Sequence, residues 1–325
     1  METTVERVGH WLGYAPEAMP RLHAIDGRID GFVLPDDLHA LLARLDVPPP
    51  VADEIVAAAP GPETHPEAWW LLEHLYAQVI ERERPVVEPP WPAPFPDDDP
   101  LTHFFHLYVF LAAVPDVLRL HGDRGIPADV SWATLRDVWL QVDNYRQRHG
   151  RYGFDGAFWI WQHFRGVIYR LGRLEFNFFE VVFDPGSSAA FARGDPALGV
   201  HIPAYGPLDP DACDASFGLA KAFFRRHFPE HPFAVATCGS WLLDPQLASY
   251  LPESANIIRF QRRFTAVPDW SRVADDDVLR FVFGSVPGSL DELPQETTLQ
   301  RAIVTHLRAG QHWEVRQGWI PWDAD

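Results

Sequence analysis

A carboxylate and a histidine lie on two neighbouring predicted strands in the second half of the chain. Residues 173–183 alternate apolar and polar side chains, which places Glu175 and Asn177 on one face of a strand. The next predicted strand, 198–204, carries His201 among apolar residues. A histidine beside a buried carboxylate can take the proton of an amine, since burial raises the pKa of a carboxyl group toward neutrality. Glu175 and His201 are therefore candidate acid–base residues.

The same two residues also fit a purely structural role. In that role His201 faces solvent or is a hydrogen-bonded core histidine. Glu175 then pairs with Arg170 or Arg173, both of which are near it in the sequence. The residue types alone leave both alternatives open.

A second polar feature is the turn Cys238–Trp241, which lies between a predicted strand and a short helix. Ligands of open α/β sheets bind beyond the carboxyl ends of strands, where the N–H groups of Gly239 and Ser240 can donate to a carbonyl or phosphate oxygen. A serine here also resembles a nucleophile elbow, but G-x-S-x-G has glycine where Cys238 and Leu242 stand. Three interpretations stay open: a ligand-contacting turn that includes Trp241, a plain turn, or a serine or cysteine hydrolase.

The sequence lacks the common nucleotide motifs. It contains no G-x-x-x-x-G-K-[ST], and no G-x-G-x-x-G follows a predicted strand. His103 and His106 lie three residues apart on a predicted helix, but their neighbours are aromatic or aliphatic and no cysteine or carboxylate stands at ligand spacing. We interpret both as ordinary core or half-buried histidines, and we expect no metal and no tightly bound cofactor.

Length, charge and cysteine content limit the class of protein. A chain of 325 residues exceeds the usual size of one core, so we expect two domains. The formal net charge is 27 − 45 = −18 with one lysine, Lys221, which argues against nucleic-acid or anionic-membrane binding. Two cysteines, and an N-terminus without signal-peptide features, indicate a cytoplasmic protein. The longest apolar stretch, 107–114, is far below the ~18–20 residues of a membrane span.

The first half of the chain reads as successive helices. They are predicted at 36–45, 50–59, 66–83, 101–120, 131–149 (with Ser131 as N-cap) and 155–171 (with Gly172 as C-terminal cap). A proline-rich connection spans 85–100, and its acidic run Asp97–Asp99 suits the N-terminal dipole of the helix that follows.

In the second half the apolar period changes from 3.6 to 2. Strands are predicted at 173–183, 198–204, 233–238, 256–264, 278–283 and 312–319, and helices at 214–227, 245–251 and from the cap Thr297 to Gly310. The strands form a mixed sheet of about six members. The predicted fold class is α+β: a helical domain over 1–150, followed by a mixed α/β domain over 151–325.

Five phrases occur in a familiar order. They are RLGRLEFN (170–177), LGVHIPAYGPL (198–208), SFGLAKAFFRRHFP (216–229), CGSWLLDP (238–245) and NIIRFQRRF (256–264). Together they resemble the bacterial acyltransferase-like proteins that join an N-acyltransferase N-terminal domain to a GNAT-like C-terminal domain. The resemblance is strong over residues 152–264 and weaker in the helical half, where 45–59 is the best match.

The resemblance implies a donor site. In a GNAT-like fold, 198–204 is the strand beside the acyl-CoA groove, and the helix that contains Ser216 points its N-terminus at the pyrophosphate. Lys221 on this helix then adds positive charge. The family's [QR]-x-x-G-x-[GA] loop is replaced here by 205–210 (YGPLDP), in which two prolines remove N–H donors and Asp209 repels phosphate. Either acyl-CoA or another acyl thioester is the expected co-substrate.

The resemblance also implies a reaction. An amine of a small molecule or peptide attacks the thioester directly in a ternary complex, and Glu175 or His201 removes the amine proton, directly or through water. Tyr250, in the helix after the next strand, protonates the departing thiolate. The alternatives are a non-catalytic ligand-binding or regulatory protein with the same fold, or a hydrolase that uses Ser240 or Cys238.

Overall fold

The chain folds into two compact units, Met1–Val167 and Ile168–Asp325. A computed structural model describes residues 4–23, 31–81, 88–89, 91–92, 99–185 and 190–322. The first unit is helical and the second contains a mixed sheet, which confirms the predicted α+β class. The domain boundary predicted at residue 150 follows the eighth helix, and one further helix separates it from the division between the units.

The first unit contains nine α-helices in its described part. They are α1 (Thr4–Trp11), α2 (Met19–His23), α3 (Leu38–Arg44), α4 (Pro49–Ala57), α5 (Pro66–Ile80), α6 (Pro100–Asp123), α7 (Ala128–Leu135), α8 (Asp137–His149) and α9 (Ala157–Phe164).

Helix α6 is the core of this unit. Its N-cap is Asp99, whose side chain accepts from the N–H of Leu101 at 2.8 Å, as the acidic run predicts. Asp97, Asp98 and most of the proline-rich connection lie outside the described residues. Length and hydropathy alone would let α6 cross a membrane, but 67% of its apolar window is buried inside the fold, as in a core helix. His106 is buried here against Trp91, and burial lowers the pKa of His106 to about 4.

Two helix predictions in this unit are wrong in their bounds. The segment 131–149 forms α7 and α8, divided at Arg136, so Ser131 lies inside α7 and is not an N-cap. Its hydroxyl donates to the carbonyl of Pro127 at 3.2 Å. The segment 155–171 is not one helix either, because α9 ends at Phe164 and a strand follows Gly166, which has a φ of 67°.

The second unit contains a six-stranded sheet with the strand order β1-β2-β3-β4-β6-β5. The strands are β1 (Ile168–Leu171), β2 (Leu174–Glu180), β3 (Pro196–His201), β4 (Val235–Ser240), β5 (Thr265–Val273) and β6 (Glu314–Pro321), and the helices are α10 (Pro210–His227), α11 (Asn256–Gln261), α12 (Asp275–Phe283) and α13 (Thr298–Arg308). Among the described pairings only β3–β4 is parallel.

Two predicted strands are helices. The segment 256–264 contains α11, and 278–283 is the second part of α12. Three aspartates in the first turn of α12 and Gly284 after its end, at a φ of 82°, are helix start and stop signals that outweigh the short apolar run between them. Thr297 caps α13 as predicted, through a capping box with Gln300.

Ser216 joins α10 to the tight β1–β2 turn at Gly172. Its hydroxyl oxygen accepts from the N–H groups of Arg173 at 2.7 Å and Leu174 at 3.3 Å, and it donates to the carbonyl of Ala212 at 3.0 Å. The residue is fully buried. A hydroxyl has one donor and two acceptor positions, so all of its hydrogen-bonding capacity is used inside the protein.

We expect Ser216→Ala to lower the free energy of unfolding of the second unit by about 1–3 kcal/mol, because it leaves two buried N–H groups without an acceptor. Urea titration of both proteins measures the difference. Ser271→Ala, at an exposed position on β5, is the matched control and should change stability by no more than about 0.5 kcal/mol. An equally small effect of Ser216→Ala would contradict this account of the turn.

Candidate acyl-transfer site

The structure brings the two predicted acid–base residues together. Glu175 on β2 and His201 on β3 are directly opposite each other in antiparallel register, so their side chains share one face of the sheet. Glu175 is buried, and His201 is half-buried at the carboxyl end of β3. The sequence pattern predicted the shared neighbourhood, and the strand register supplies the direct pairing.

Asn177 fixes the ring of His201. Its Oδ1 lies 3.0 Å from Nε2 of His201, and an amide oxygen only accepts hydrogen bonds, so in the neutral ring Nε2 carries the proton. Nδ1 is then the basic nitrogen. Gly199 stands opposite Asn177 in the β2–β3 register, and a Cβ at Gly199 would lie 2.0 Å from Asn177 Oδ1. The absence of a side chain at Gly199 therefore lets Asn177 reach His201.

The carboxyl ends of β3 and β4 separate beside this pair. Their parallel pairing covers Ala197 to Gly199 on β3 and ends at Gly199–Thr237, although β3 continues to His201 and β4 to Ser240. Strand β4 remains paired with β6 up to Ser240. The gap therefore opens on the β3 side of β4, where the sequence analysis placed a groove, and ligands of such sheets bind at this end.

The loop after β3 is held by Arg173. Its guanidinium donates to the carbonyls of Pro203, Gly206 and Pro207 at 2.8–3.1 Å. Burial lowers the pKa of Arg173, and the nearby Cys213 and Glu175 oppose that shift. Peptide groups are planar and trans, so a carbonyl that points at Arg173 directs the N–H of the following residue away from it.

The N-terminus of α10 is already capped. Asp209 accepts from the N–H of Ala212 at 2.9 Å, and Arg263 binds both Asp214 Oδ1 at 2.7 Å and the carbonyl of Pro210 at 2.9 Å. Lys221, predicted to add charge here, lies eleven residues after Pro210, roughly 16 Å along the helix at 1.5 Å per residue. The Nζ atom of Lys221 is 5.8 Å from the ring centroid of Trp322.

Ser240 and Cys238 do not have the environment of a covalent nucleophile. Burial raises the pKa of the Cys238 thiol to about 12, so it stays protonated near neutral pH. In the described part of the chain, the hydroxyl of Ser240 makes one hydrogen bond, which it accepts from the N–H of Leu242 at 3.1 Å. The geometry favours a turn over a hydrolase at this position. Gly239, between these two residues, is exposed.

Tyr250 and Trp241 lie in an apolar cluster of the second unit that also contains Trp313. The hydroxyl of Tyr250 is 3.1 Å from Nδ1 of His306, and Nε2 of His306 is 3.2 Å from the carbonyl of His312. Because that carbonyl only accepts, His306 Nδ1 is an acceptor and Tyr250 donates to it. No contact joins Tyr250 to Glu175 or His201 among the described residues. Its role as the acid stays a prediction.

Three polar residues of this region were not predicted from the sequence as site residues. Arg173 was considered only as a partner of Glu175, and Thr237 and Gln317 were not considered. Thr237 is the partner of Gly199 on β4, and Gln317 is the partner of Gly239 on β6, so both share the face of His201. The available signal was the alternation in 312–319, in which Gln317 is the polar member of an otherwise apolar row.

Comparisons with known proteins agree with this architecture. The N-acyltransferase N-terminal domain matches residues 36–166, and the GNAT-like C-terminal domain matches residues 168–320. No match was found among curated protein sequences.

Solved structures of acyltransferases match nearly the whole chain. One is an acyltransferase in complex with decanoyl-CoA and teicoplanin, at 39% identity and a TM-score of 0.89, over 98% of this chain and 99% of that chain. A second is an acyltransferase mutant in complex with octanoyl-CoA, at 39% identity and a TM-score of 0.89, over 99% and 100%. A third is an acyltransferase in complex with CoA and 10C-teicoplanin, at 39% identity and a TM-score of 0.89, over 98% and 99%.

The chain therefore belongs to the acyltransferase family that joins an N-acyltransferase N-terminal domain to a GNAT-like C-terminal domain. This confirms the resemblance found in the sequence, and it makes the protein an enzyme of the acyltransferase class.

We expect Gly199→Ala to lower kcat/KM for acyl transfer about 10-fold, because the new methyl group displaces Asn177 and costs His201 one hydrogen bond. In an Asn177→Ala background the same change should have little further effect, since the obstacle is gone. Gly218→Ala on α10, where a Cβ meets nothing within 4 Å, is the matched control. Additive losses in the double variant would contradict the proposed link between Gly199 and Asn177.

Proposed function

We propose that the protein transfers an acyl group from acyl-CoA to an amine of a small molecule or peptide, by direct attack in a ternary complex. The observation that carries the proposal is the Glu175–His201 pair beside the separating ends of β3 and β4. The acyl-CoA and CoA complexes of the 39% identical acyltransferases support the choice of donor.

The donor thioester lies at the separating strand ends in this proposal. Backbone groups beyond Gly199 and Thr237 are not used in β3–β4 pairing. Successive N–H groups of a strand point to opposite edges, and β4 also pairs with β6, so one of the N–H groups of Gly239 and Ser240 faces the gap and can polarise the thioester carbonyl. The loop that Arg173 holds turns the N–H groups of Ala204 and Leu208 outward. These donors take the place of the family's glycine-rich loop at the phosphates. Ser216 does not enter this donor site, since its hydroxyl is saturated.

The chemical step needs one base and one acid. The amine nitrogen attacks the thioester carbonyl carbon, the new C–N bond forms, and the C–S bond breaks. His201 Nδ1, assisted by Glu175, takes the amine proton directly or through water. Tyr250 is the proposed acid for the thiolate, and to act it must turn its O–H away from His306. Trp241 and Lys221 stay proposed donor contacts.

The acceptor is an amine in this proposal, and the related acyltransferase complexes contain teicoplanin or 10C-teicoplanin beside the donor. The net charge of −18 favours the approach of a cationic amine over that of an anionic polymer or membrane surface. We place the reaction in the cytoplasm, where the two free buried cysteines remain thiols.

We expect CoA and medium-chain acyl-CoAs to raise the melting temperature, because a ligand that binds only the folded state adds RT ln(1 + [L]/Kd), about 2.7 kcal/mol at ~100 Kd. Thermal scans with CoA, acetyl-CoA, octanoyl-CoA and decanoyl-CoA measure this, and the free fatty acids are the control. Mass spectra of amine acceptors incubated with the donor then detect the transferred acyl group. An absence of any shift at millimolar donor would contradict CoA thioesters as the donor and favour another acyl thioester.

We expect Glu175→Gln and His201→Gln each to lower kcat/KM by roughly 10²–10⁴-fold, the usual contribution of a general base. Donor affinity should be nearly unchanged. The loss of kcat/KM relative to the unmodified enzyme should become smaller as the pH rises, because the free amine becomes abundant and needs no base. Pre-steady-state and steady-state rates from about pH 6 to 9 test this.

The exposed His231 supplies the control variant His231→Gln, which should keep the rate of the unmodified enzyme. Unchanged rates of Glu175→Gln and His201→Gln across the same pH range would contradict their catalytic assignment and indicate a structural role for both residues.

A further inference from the structure

Two buried polar side chains on the face of His201 make no hydrogen bond within the described part of the chain. Gln317 is 5% exposed and Thr237 is 2% exposed. The carboxamide of Gln317 lies over Gly239, with Oε1 2.7 Å from the position that a Cβ of Gly239 would take. The polar atoms of Gln317 and Thr237 are not among the fully enclosed side-chain atoms without a partner in the described residues, so they keep some contact with the surface. A hydroxyl and a carboxamide that are open in this way can bond to a ligand.

Strand register places both residues beside the acid–base pair. Gly199 pairs with Thr237, and His201 and Gly239 each stand two residues further along these parallel strands. Gly239 pairs in turn with Gln317. One row across the sheet therefore reads Glu175, His201, Gly239 and Gln317, with the shorter Thr237 beside it.

Gly239 lets the side chain of Gln317 reach across β4. Gly239 is exposed and has no side chain, and the carboxamide of Gln317 occupies the space above it on the side away from His201 in the strand order. Two strand spacings separate the backbones of His201 and Gln317, roughly 9–10 Å, and the separation of β3 from β4 adds to that. The carboxamide of Gln317 occupies part of this width, above Gly239.

The polar groups select the chemistry of the ligand. A carboxamide offers one accepting oxygen and two donor hydrogens, and a threonine hydroxyl both donates and accepts. Their complement is a neutral group that also donates and accepts.

We propose that Gln317 and Thr237 form a binding subsite for a secondary amide or hydroxyl group of a substrate, held between the carboxamide of Gln317 and His201, next to the reacting atoms. This inference rests on the proposed acyl transfer. The group has two sources of the same chemistry: an amide of the donor's pantetheine arm, or an amide or hydroxyl that flanks the amine of the acceptor.

The test uses Gln317→Leu and Thr237→Val, which keep side-chain size close to the original and remove the hydrogen-bonding groups. Gln311→Leu, at an exposed position just before β6, is the matched control. Donor affinity is measured by calorimetry with octanoyl-CoA alone, and the acceptor KM by steady-state kinetics at saturating donor.

We expect Gln317→Leu to weaken one of these two affinities by about 10-fold or more, and Thr237→Val to weaken the same one, as for a lost hydrogen bond. A loss confined to octanoyl-CoA binding identifies the pantetheine amide as the ligand. A loss confined to the acceptor KM identifies the acceptor group. Unchanged values of both, in a chain whose unmodified form transfers acyl groups, overturn the subsite.

Thermal unfolding of the free protein gives a second readout that is independent of acyl transfer. If the carboxamide of Gln317 serves to bind a ligand, it does not stabilise the ligand-free protein. Gln317→Leu should then leave the melting temperature unchanged or raise it. Gln317→Met serves the same purpose if leucine does not fit. A marked fall in both variants would show a structural role and overturn the subsite. An unmodified protein that neither binds octanoyl-CoA nor transfers acyl groups would instead refute the proposed function.

Discussion

The chemistry of the second unit depends on the point at which two parallel strands stop pairing. Strands β3 and β4 share register only up to Gly199 and Thr237. Beyond that point β3 stays paired with β2 as far as His201, and β4 stays paired with β6 as far as Ser240, so the sheet divides between β3 and β4. Backbone donors and acceptors on the facing edges are then available to a ligand, and an unsatisfied buried peptide group costs about 1–3 kcal/mol. The separated strand ends can therefore hydrogen-bond to an extended ligand through these free backbone groups.

A single arginine compensates for the unusual loop that follows β3. The loop contains two prolines and is followed by acidic residues, a composition poorly suited to phosphate. The guanidinium of Arg173 donates to three carbonyl oxygens of the loop, which places a positive charge beside it. The N–H groups that follow these carbonyls then point away from Arg173. Ser216 in turn holds the backbone of Arg173 against α10. A turn, a loop and a helix are therefore connected through adjacent atoms of one residue.

The sequence predicted the elements that have long or strict periodicity and failed where apolar runs are short. The alternation in β2 and the apolar setting of His201 placed Glu175 and His201 on adjacent strands, and the structure pairs these two residues directly. Segments 256–264 and 278–283 are too short for the apolar pattern to distinguish strand from helix. In α12 the aspartates and Gly284 were the better evidence. Gln317 was not predicted as a site residue because its position beside Gly239 depends on the register between β4 and β6. The sequence of one strand does not determine that register.

Two histidines of the second unit have their tautomers set by groups that can only accept hydrogen bonds. In each ring this determines which nitrogen carries the proton and which can accept one. Asn177 Oδ1 places the proton of His201 on Nε2, so Nδ1 is the basic atom beside the separating strands. The carbonyl of His312 places the proton of His306 on Nε2, so Tyr250 must donate to Nδ1. His201 is thus arranged to receive a proton, whereas the proton of Tyr250 is directed at His306. Release of a thiolate in the proposed reaction therefore requires either a turn of the Tyr250 hydroxyl or proton delivery through the His201 that has just been charged. In the proposed reaction the second route needs no rearrangement of Tyr250, because the proton would return from the same imidazole that took it from the amine.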